Sequence, residues 1–401
     1  MEKRLVLLTK YFPPEMGAPQ SRLYETVLGL QKRGWEVLVI TAMPNYPTGK
    51  VFQGYRNKFS ITDEVDGINL VRYNLYASHA KKPVPRIISM LSFGFTSMFS
   101  FAGVRRFRPT YIITESPPLT LGLTGLALAR LSGARHIMNV SDIWPLSALR
   151  LGAISEGYMY RRLEALEKYL YRRSYACIGQ SSEIVARLQA TGSRRCLLFR
   201  NGVDFQRFEA VRKTQPASIR QGKLRIVYAG LLGIAQGVLD ICMNINFAAQ
   251  GAELHIYGEG SQKNDIALYI RNNQDKGLFL YDAVHRKDIP ATLMQYDVTL
   301  IPLVTPIYGA VPSKIYEAMA AGLPVIFSGG GEGEAIIAQY KTGWVCTPGD
   351  YKEISEKVKQ VAIMPVEELE VIKKNCIKVA ENIFNREIQI ENLHGFLTGQ
   401  S

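Results

Sequence analysis

A chain of 401 residues is too long for one hydrophobic core and suits two domains, and its 47% hydrophobic and 21% charged residues exclude a disordered or fibrous protein. The net charge of +13 is uneven: residues 1–200 carry 28 Lys and Arg against 13 Asp and Glu, whereas residues 201–401 carry 20 against 22. The basic half suits an anionic surface, such as a membrane, a nucleic acid or a phosphorylated acceptor, or it simply confers solubility.

The five Cys (Cys177, Cys196, Cys242, Cys346, Cys376) and the five His (His79, His136, His255, His285, His394) show no metal-ligand spacing. That argues against structural zinc and for a reducing compartment. The first residues enter a strand directly, without the apolar region of a signal peptide.

In chain order, Arg4–Thr9 reads as a buried strand, followed by the loop Tyr11–Gln20 with its prolines and Gly17. A helix from about Ser21 to Gly34 and a strand over Glu36–Thr41 complete a parallel crossover unit. Ligands in such sheets sit at the carboxyl ends of strands, where the Phe12–Gln20 loop falls. Residues 44–75 are less regular and have hairpin character.

Ile87–Val104 carries no charge and lies between Arg86 and the cluster Arg105, Arg106, Arg108. Three readings are open for it: a core helix, a spanning helix, or a core helix with an apolar stripe resting on a membrane surface. The adjacent arginines favour the last.

The strand and helix alternation continues through the Ser116-Pro117-Pro118 loop, the strand His136–Val140 and the loop Ser141-Asp142-Ile143-Trp144-Pro145. Asp142, at a strand end, is placed for chemistry or for a turn. The first half ends at the turn Asn201–Asp204, so residues 1–204 form one domain. Residues 205–223, polar and without pattern, read as a linker. Alternation restarts at Leu224–Ala229 and runs to residue 385, with a last helix over 386–401 for which a return to the first domain is one open reading. The fold class is therefore α/β, two doubly wound Rossmann-like domains facing a central cleft.

The most informative stretch is Val311–Pro324. Pro312 and Ser313 start a short helix, and Gly322 and Pro324 stop it. Its first turn holds Lys314, so free amides and a cation meet at one spot, as a phosphate requires. Glu317 follows on the same face, suited to the hydroxyls of a ribose. A plain capped helix with a solvated Lys–Glu pair is the competing reading.

Other chemistries lack their motifs. There is no phosphate-loop signature, no Gly-x-Gly-x-x-Gly after the first strand, no Gly-x-Ser-x-Gly and no Asp-x-Asp. Gly329–Gly333 is glycine-rich but comes too late to be a dinucleotide fingerprint.

Tyr11-Phe12-Pro13-Pro14 with Gly17, Pro44–Pro47, Ser116–Pro118, Asp142–Pro145, Asn201–Asp204, Gly258–Gly260 and Pro312–Pro324 together resemble the family-4 retaining glycosyltransferases of GT-B fold. The similarity is greatest to bacterial transferases of O-antigen, capsule and colanic-acid assembly, such as the L-fucosamine transferases. It implies a UDP-sugar donor held by the C-terminal domain through Gly233, Gln236, Gly258, Ser313, Lys314, Ile315 and Glu317, with Gly17 and Ala18 contributing amides. Asp142, Lys314 and Glu317 are the implied catalytic set, with no metal or other cofactor.

The implied acceptor is a polyprenyl-diphosphate-linked glycan. The protein is then expected in the cytoplasm, resting on the inner membrane surface through Ile87–Val104 and Arg105, Arg106 and Arg108, without a nucleic-acid partner. The chain departs from the family at Gly309, Leu231, Gln236 and Ser141, where Glu, Arg, Lys and His are usual. A nucleotide-sugar 2-epimerase and a non-catalytic GT-B scaffold of a glycan assembly complex are the alternatives.

Overall fold

Strands rich in Val, Ile and Leu alternate with helices throughout, and each strand run buries both faces, the mark of a parallel sheet covered by helices. The computed structural model describes residues 2–46, 48–78, 83–150, 152, 154–215, 220, 222–306, 309 and 311–400. Pro47, His79 and residues 216–219 and 221 of the expected linker lie outside the described residues, as do the side chains of Ala18, Arg86 and Ile87. Two units result, one of residues up to Arg200 together with those from Ile390, the other of Asn201–Gln389.

The first unit contains β1 (Arg4–Thr9), α1 (Ala18–Lys32), β2 (Glu36–Ala42), β3 (Ser60–Val65), β4 (Ile68–Tyr73), α2 (Pro83–Ser97), α3 (Phe101–Phe107) and β5 (Tyr111–Ser116). It continues with α4 (Leu121–Ser132), β6 (Arg135–Val140), α5 (Leu146–Arg150), α6 (Tyr158–Arg173), β7 (Ala176–Gly179), α7 (Ser182–Ala190) and β8 (Cys196–Leu198). The sheet order is β3-β4-β2-β1-β5-β6-β7-β8, parallel except for the β3–β4 hairpin. That hairpin turns on Asp66-Gly67, both at positive φ, which matches the twist of the strands.

One face of the sheet packs Leu5, Leu7 and Ile113 with Leu23 and Val27 of α1 and Leu393 and Leu397 near the chain end. The other packs Val6, Leu8 and Ile112 with Phe93, Leu121 and Leu128. The strand order reverses between β1 and β5, so the loops after these strands border the crevice where doubly wound sheets take ligands.

The uncharged run Ile87–Val104 is not one helix. α2 ends at Ser97, a 3-10 turn covers Met98–Ser100, and α3 follows. Hydroxyls here bond to backbone carbonyls: Ser97 donates to Gly94 O at 3.1 Å and Ser100 to Ser97 O at 2.7 Å. Such bonds compete with the helical ladder. Among the described residues no helix is long and apolar enough to cross a membrane, which removes the spanning reading. Burial does not follow polarity along this stretch. Ser89, Ser97 and Ser100 are buried beside Phe93 and Val104, whereas Ile88, Leu91, Phe95 (69% exposed) and Phe99 (58%) face outward.

The second unit contains α8 (Phe205–Thr214), β9 (Leu224–Ala229), α9 (Val238–Asn244), β10 (Ala252–Tyr257), α10 (Lys263–Asn272), β11 (Leu278–Tyr281), α11 (Ile289–Leu293) and β12 (Val298–Pro302). Then come α12 (Ser313–Ala321), β13 (Val325–Ser328), α13 (Gly331–Tyr340), β14 (Gly343–Cys346), α14 (Tyr351–Ala362), α15 (Val366–Asn382) and α16 (Arg386–Thr398), whose later residues belong to the first unit. The sheet is wholly parallel with order β11-β10-β9-β12-β13-β14, reversing between β9 and β12.

The expected linker is corrected over its first half. Residues 205–214 form α8, capped by the Asp204 carboxylate accepting from the Arg207 amide. Phe205 and Phe208 are buried with Ile315, Tyr316 and Phe384 in the core of this unit. Two apolar side chains at i and i+3 suffice to anchor a short helix whose remaining face is polar.

Candidate functional site

In the second unit the site is built around the carboxyl end of β9. Gly230 directly follows that strand, and a Cβ there would lie 2.0 Å from Lys314 Nζ, so the ammonium occupies the space a side chain would fill. Lys314 Nζ also lies 3.2 Å from Tyr228 Oη and 4.2 Å from the centroid of its ring. The cation is thus laid over the strand end at the reversal of strand order, the expected ligand position in this topology.

Burial pushes the Lys314 ammonium down to about 8, opposed by Glu317. Burial raises the Glu317 carboxyl, opposed by Arg207, Arg286 and Lys314 in that order.

The loop after β9 interlocks with the loop after β10. A Cβ on Gly258 would lie 2.0 Å from Gly230 O, and the Leu232 amide donates to Glu259 O at 2.8 Å. Gly258 is therefore a residue of close backbone approach. Gly233 and Gln236 bound the 3-10 turn in the first of these loops, and the Gln236 Oε1 is buried without a hydrogen-bond partner. Leu231, at a position where the resembling family has Arg, is 62% exposed.

The start of α12 falls at Pro312 and Ser313, as read from the sequence. Pro312 is its N-cap and Ser313 its first helical residue, with no side chain capping the end. The Ile315 amide donates to Pro312 O at 3.0 Å and its side chain is wholly buried, so Ile315 is a core residue here and its amide is already used. Gly309 has φ +76°, a conformation that a glutamate adopts only with strain.

In the first unit, Gly17 is the N-cap of α1 and Ala18 its first residue, again with no side-chain cap. A Cβ on Gly17 would meet the Gln20 Oε1 at 2.4 Å. Asp142 follows β6 in a half-buried position, where Ser147 Oγ donates to its carboxylate at 2.9 Å. Burial raises its carboxyl above the usual range, opposed by that bond.

Sequence reasoning missed the groups that hold these loops. Arg22 of α1 pairs with Glu115 at the end of β5, both side chains nearly inaccessible, and donates to Gln180 Oε1 at 2.7 Å and Ser141 Oγ at 2.9 Å. Ser141, in place of the family His, also donates to Glu115, so its hydroxyl is committed inside the protein. The Glu15 carboxylate accepts from the amides of Asn45 and Tyr46, and Arg72, fully buried, donates to Pro13 O. These contacts join positions far apart in sequence, so no local pattern announces them. The structure thus gathers Lys314, Glu317, Gly258 and the Gly233–Gln236 turn in one unit, and Gly17, Ala18 and Asp142 at strand ends of the other.

Both units have recognisable kin. Residues 17–202 match the family model described as glycosyl transferase 4-like domain, and residues 223–362 match that described as glycosyl transferases group 1. WcaI of Escherichia coli strain K12, named for glycosyl transfer in colanic acid biosynthesis, is 26% identical over 329 residues, 78% of this chain and 79% of the relative.

Among solved structures, the sucrose-phosphate synthase of Thermosynechococcus elongatus is similar with a TM-score of 0.70 at 15% identity, covering 100% of both chains. Anabaena HepE, solved in complex with UDP and glucose, is similar with a TM-score of 0.65 at 13% identity, covering 99% of this chain and 100% of that one. With two Rossmann-like parallel units and family matches on each, the chain belongs to the group 1 and 4-like glycosyltransferases and has the GT-B fold.

Proposed function

We propose that the protein transfers a sugar, N-acetylated or deoxy, from a UDP-sugar to a polyprenyl-diphosphate-linked glycan in surface polysaccharide assembly, with retention of anomeric configuration. The observation that carries this reading is Lys314 laid over the carboxyl end of β9, beside Glu317, within the group 1 domain. The similarity to WcaI supports the polysaccharide setting, and the complex of HepE with UDP and glucose supports the donor class.

In this reading the second unit holds the donor. Glu317 accepts the ribose hydroxyls, and Lys314 with the first amides of α12 faces the diphosphate. The bond between the sugar C1 and the diphosphate oxygen breaks, and its electron pair leaves with the diphosphate. The acceptor hydroxyl bonds to C1 on the same face and passes its proton to a diphosphate oxygen, and Asp142 orients the reacting sugars. The reaction is metal-independent in this proposal. Gly309, which removes a carboxylate from the sugar end, favours a donor sugar with a substituted or missing hydroxyl.

The exposed stripe of Ile88, Leu91, Phe95 and Phe99, with exposed Arg105, Arg106 and Arg108 close by in sequence, supports peripheral attachment to the cytoplasmic membrane face.

The test is transfer from a panel of UDP-sugars to a polyprenyl-diphosphate glycan in the presence of chelator, with Lys314→Ala as control. One UDP-sugar consumed only with acceptor, and not by Lys314→Ala, is the expected result. Donor turnover without acceptor would instead identify an epimerase, and absence of nucleotide binding a scaffold.

A further inference from the structure

The first unit carries an outer face that the proposed chemistry does not use. The crossings from β4 to β5, β5 to β6 and β6 to β7 all run in one direction along the sheet, so their helices α2 and α3, α4 and α6 lie on one side of it. They pack as a layer. Thr124 Oγ1 of α4 donates to Gly94 O of α2 at 2.8 Å, and a Cβ on Gly122 of α4 would lie 2.9 Å from Leu170 Cδ1 of α6. Besides the stripe of α2, the layer exposes Leu123 and Leu131 of α4, and Tyr158 (71% exposed), Met159 and Tyr169 of α6.

The α6 residues are set among cations. Arg162 lies over the Tyr158 ring at 4.9 Å and donates to its hydroxyl at 2.8 Å, and Arg173 lies over the Tyr169 ring at 5.8 Å. Arg161 and Arg162 stand near the N-terminal end of α6, where the helix dipole gives a cation no benefit, so helix stability does not account for them. The acids of α6 are engaged elsewhere: Glu164 pairs with Lys168 and Arg187, and Glu167, wholly buried, pairs with Arg187. Residues 83–173 hold 12 Lys and Arg against 5 Asp and Glu, and among the described residues of that span Glu156 is the one exposed acid.

We infer that the outer face of α4 and α6 is a second lipid contact of this protein, with Arg161, Arg162 and Arg173 taking anionic lipid headgroups and Tyr158 and Tyr169 resting at the interface. The whole helical layer then lies on the bilayer. A second copy of the chain is a poor occupant, because a two-fold contact would set these arginines against themselves. The apolar side chains stand singly on three helices among the arginines, and a fluid surface takes up each where it stands, as a fixed partner surface does not. The inference extends the membrane attachment proposed for α2, and its test lets the two fail separately.

The measurement is sedimentation of the full chain with vesicles of phosphatidylcholine, alone or mixed with phosphatidylglycerol. Replacing Arg161, Arg162 and Arg173 together by Gln is expected to weaken binding to the mixed vesicles by about tenfold or more, at unchanged Tm, since exposed ring and ion contacts add little stability. Tyr169→Trp gives a second readout. Its fluorescence is expected to shift to shorter wavelength on mixed vesicles and to be quenched by brominated lipid, beyond the wild-type signal of Trp35, Trp144 and Trp344.

Unchanged affinity of the arginine variant, or an unquenched Tyr169→Trp on bound protein, overturns the inference and leaves α2 as the contact. Equal binding of the wild type to both kinds of vesicle overturns the role of the arginines. No vesicle binding by the wild type overturns the inference and the α2 attachment together, and retention by poly-glutamate in that case would assign the face to an acidic protein.

Discussion

Lys314 shows how a single residue carries both chemistry and a measurable signature. Held over Tyr228 with little solvent, its ammonium titrates near 8 instead of 10.5. Diphosphate affinity is therefore expected to fall as pH rises through about 8, because the free protein loses the cation there. Binding above that pH should take up a proton, seen by calorimetry in buffers of different ionisation enthalpy and absent in Lys314→Ala. The sign for stability is opposite. The folded state releases the Lys314 proton before the unfolded chain does, so this group makes the ligand-free protein more stable as pH rises from about 8 towards 10.5.

In the first unit, Glu115→Ala would leave Arg22 charged and buried. It is expected to cost about 3–5 kcal/mol, read as a lowered midpoint in denaturant. Lys314 and Glu317 were legible in the sequence because they share one short helix with its own start and stop signals. Arg22 and Glu115 were not, since packing alone brings them together.

At the scale of elements, α8 and α2 each reverse a reading from composition. α8 looks polar and patternless, yet Phe205 and Phe208 insert it into the core. Phe208→Ala is expected to cost about 3–5 kcal/mol in chemical unfolding, whereas a true linker position would cost almost nothing.

α2 and the turn after it look like a continuous apolar rod, yet Ser89, Ser97 and Ser100 are buried while Leu91, Phe95 and Phe99 are exposed. The hairpin contributes Phe59, whose ring meets Phe99 edge-on with centroids 5.1 Å apart. Replacing Phe95 and Phe99 together by Asp is expected to leave the melting temperature nearly unchanged. The same change should weaken sedimentation with phosphatidylglycerol vesicles by more than about tenfold, since each exposed ring offers roughly 1.5–3 kcal/mol of apolar burial. Unchanged vesicle binding would leave this stripe without the proposed role. The strands were the most legible elements, while α13 and β14 were missed because Gly329–Gly333 disguises the start of one and the other has only four residues.

For the whole molecule, the charge asymmetry follows the two units, with the basic half in the first. Attachment through that unit is expected to be salt-dependent, with vesicle binding falling as ionic strength rises from about 0.05 to 0.5 M while the apolar contribution persists. Binding that is insensitive to salt would show that the arginines near α3 take no part. Reversal of strand order in each sheet places the loops after β1 and β5, and those after β9 and β12, where ligands enter. The residues singled out for phosphate and sugar, including Gly17, Gly233 and Lys314, fall on or directly beside these loops.

The sequence by itself determined the alternation of strands and helices, the division into two α/β halves and the local chemistry of the Lys314 helix. Those properties depend on hydrophobic periodicity and on residues close together in the chain. Only the tertiary structure decided that Arg22 pairs with Glu115, that the Ile315 amide is already used, that residues 205–214 belong to a core, and which side of α2 meets water. Each of these depends on contacts between elements distant in sequence, whose packing overrides what composition suggests locally.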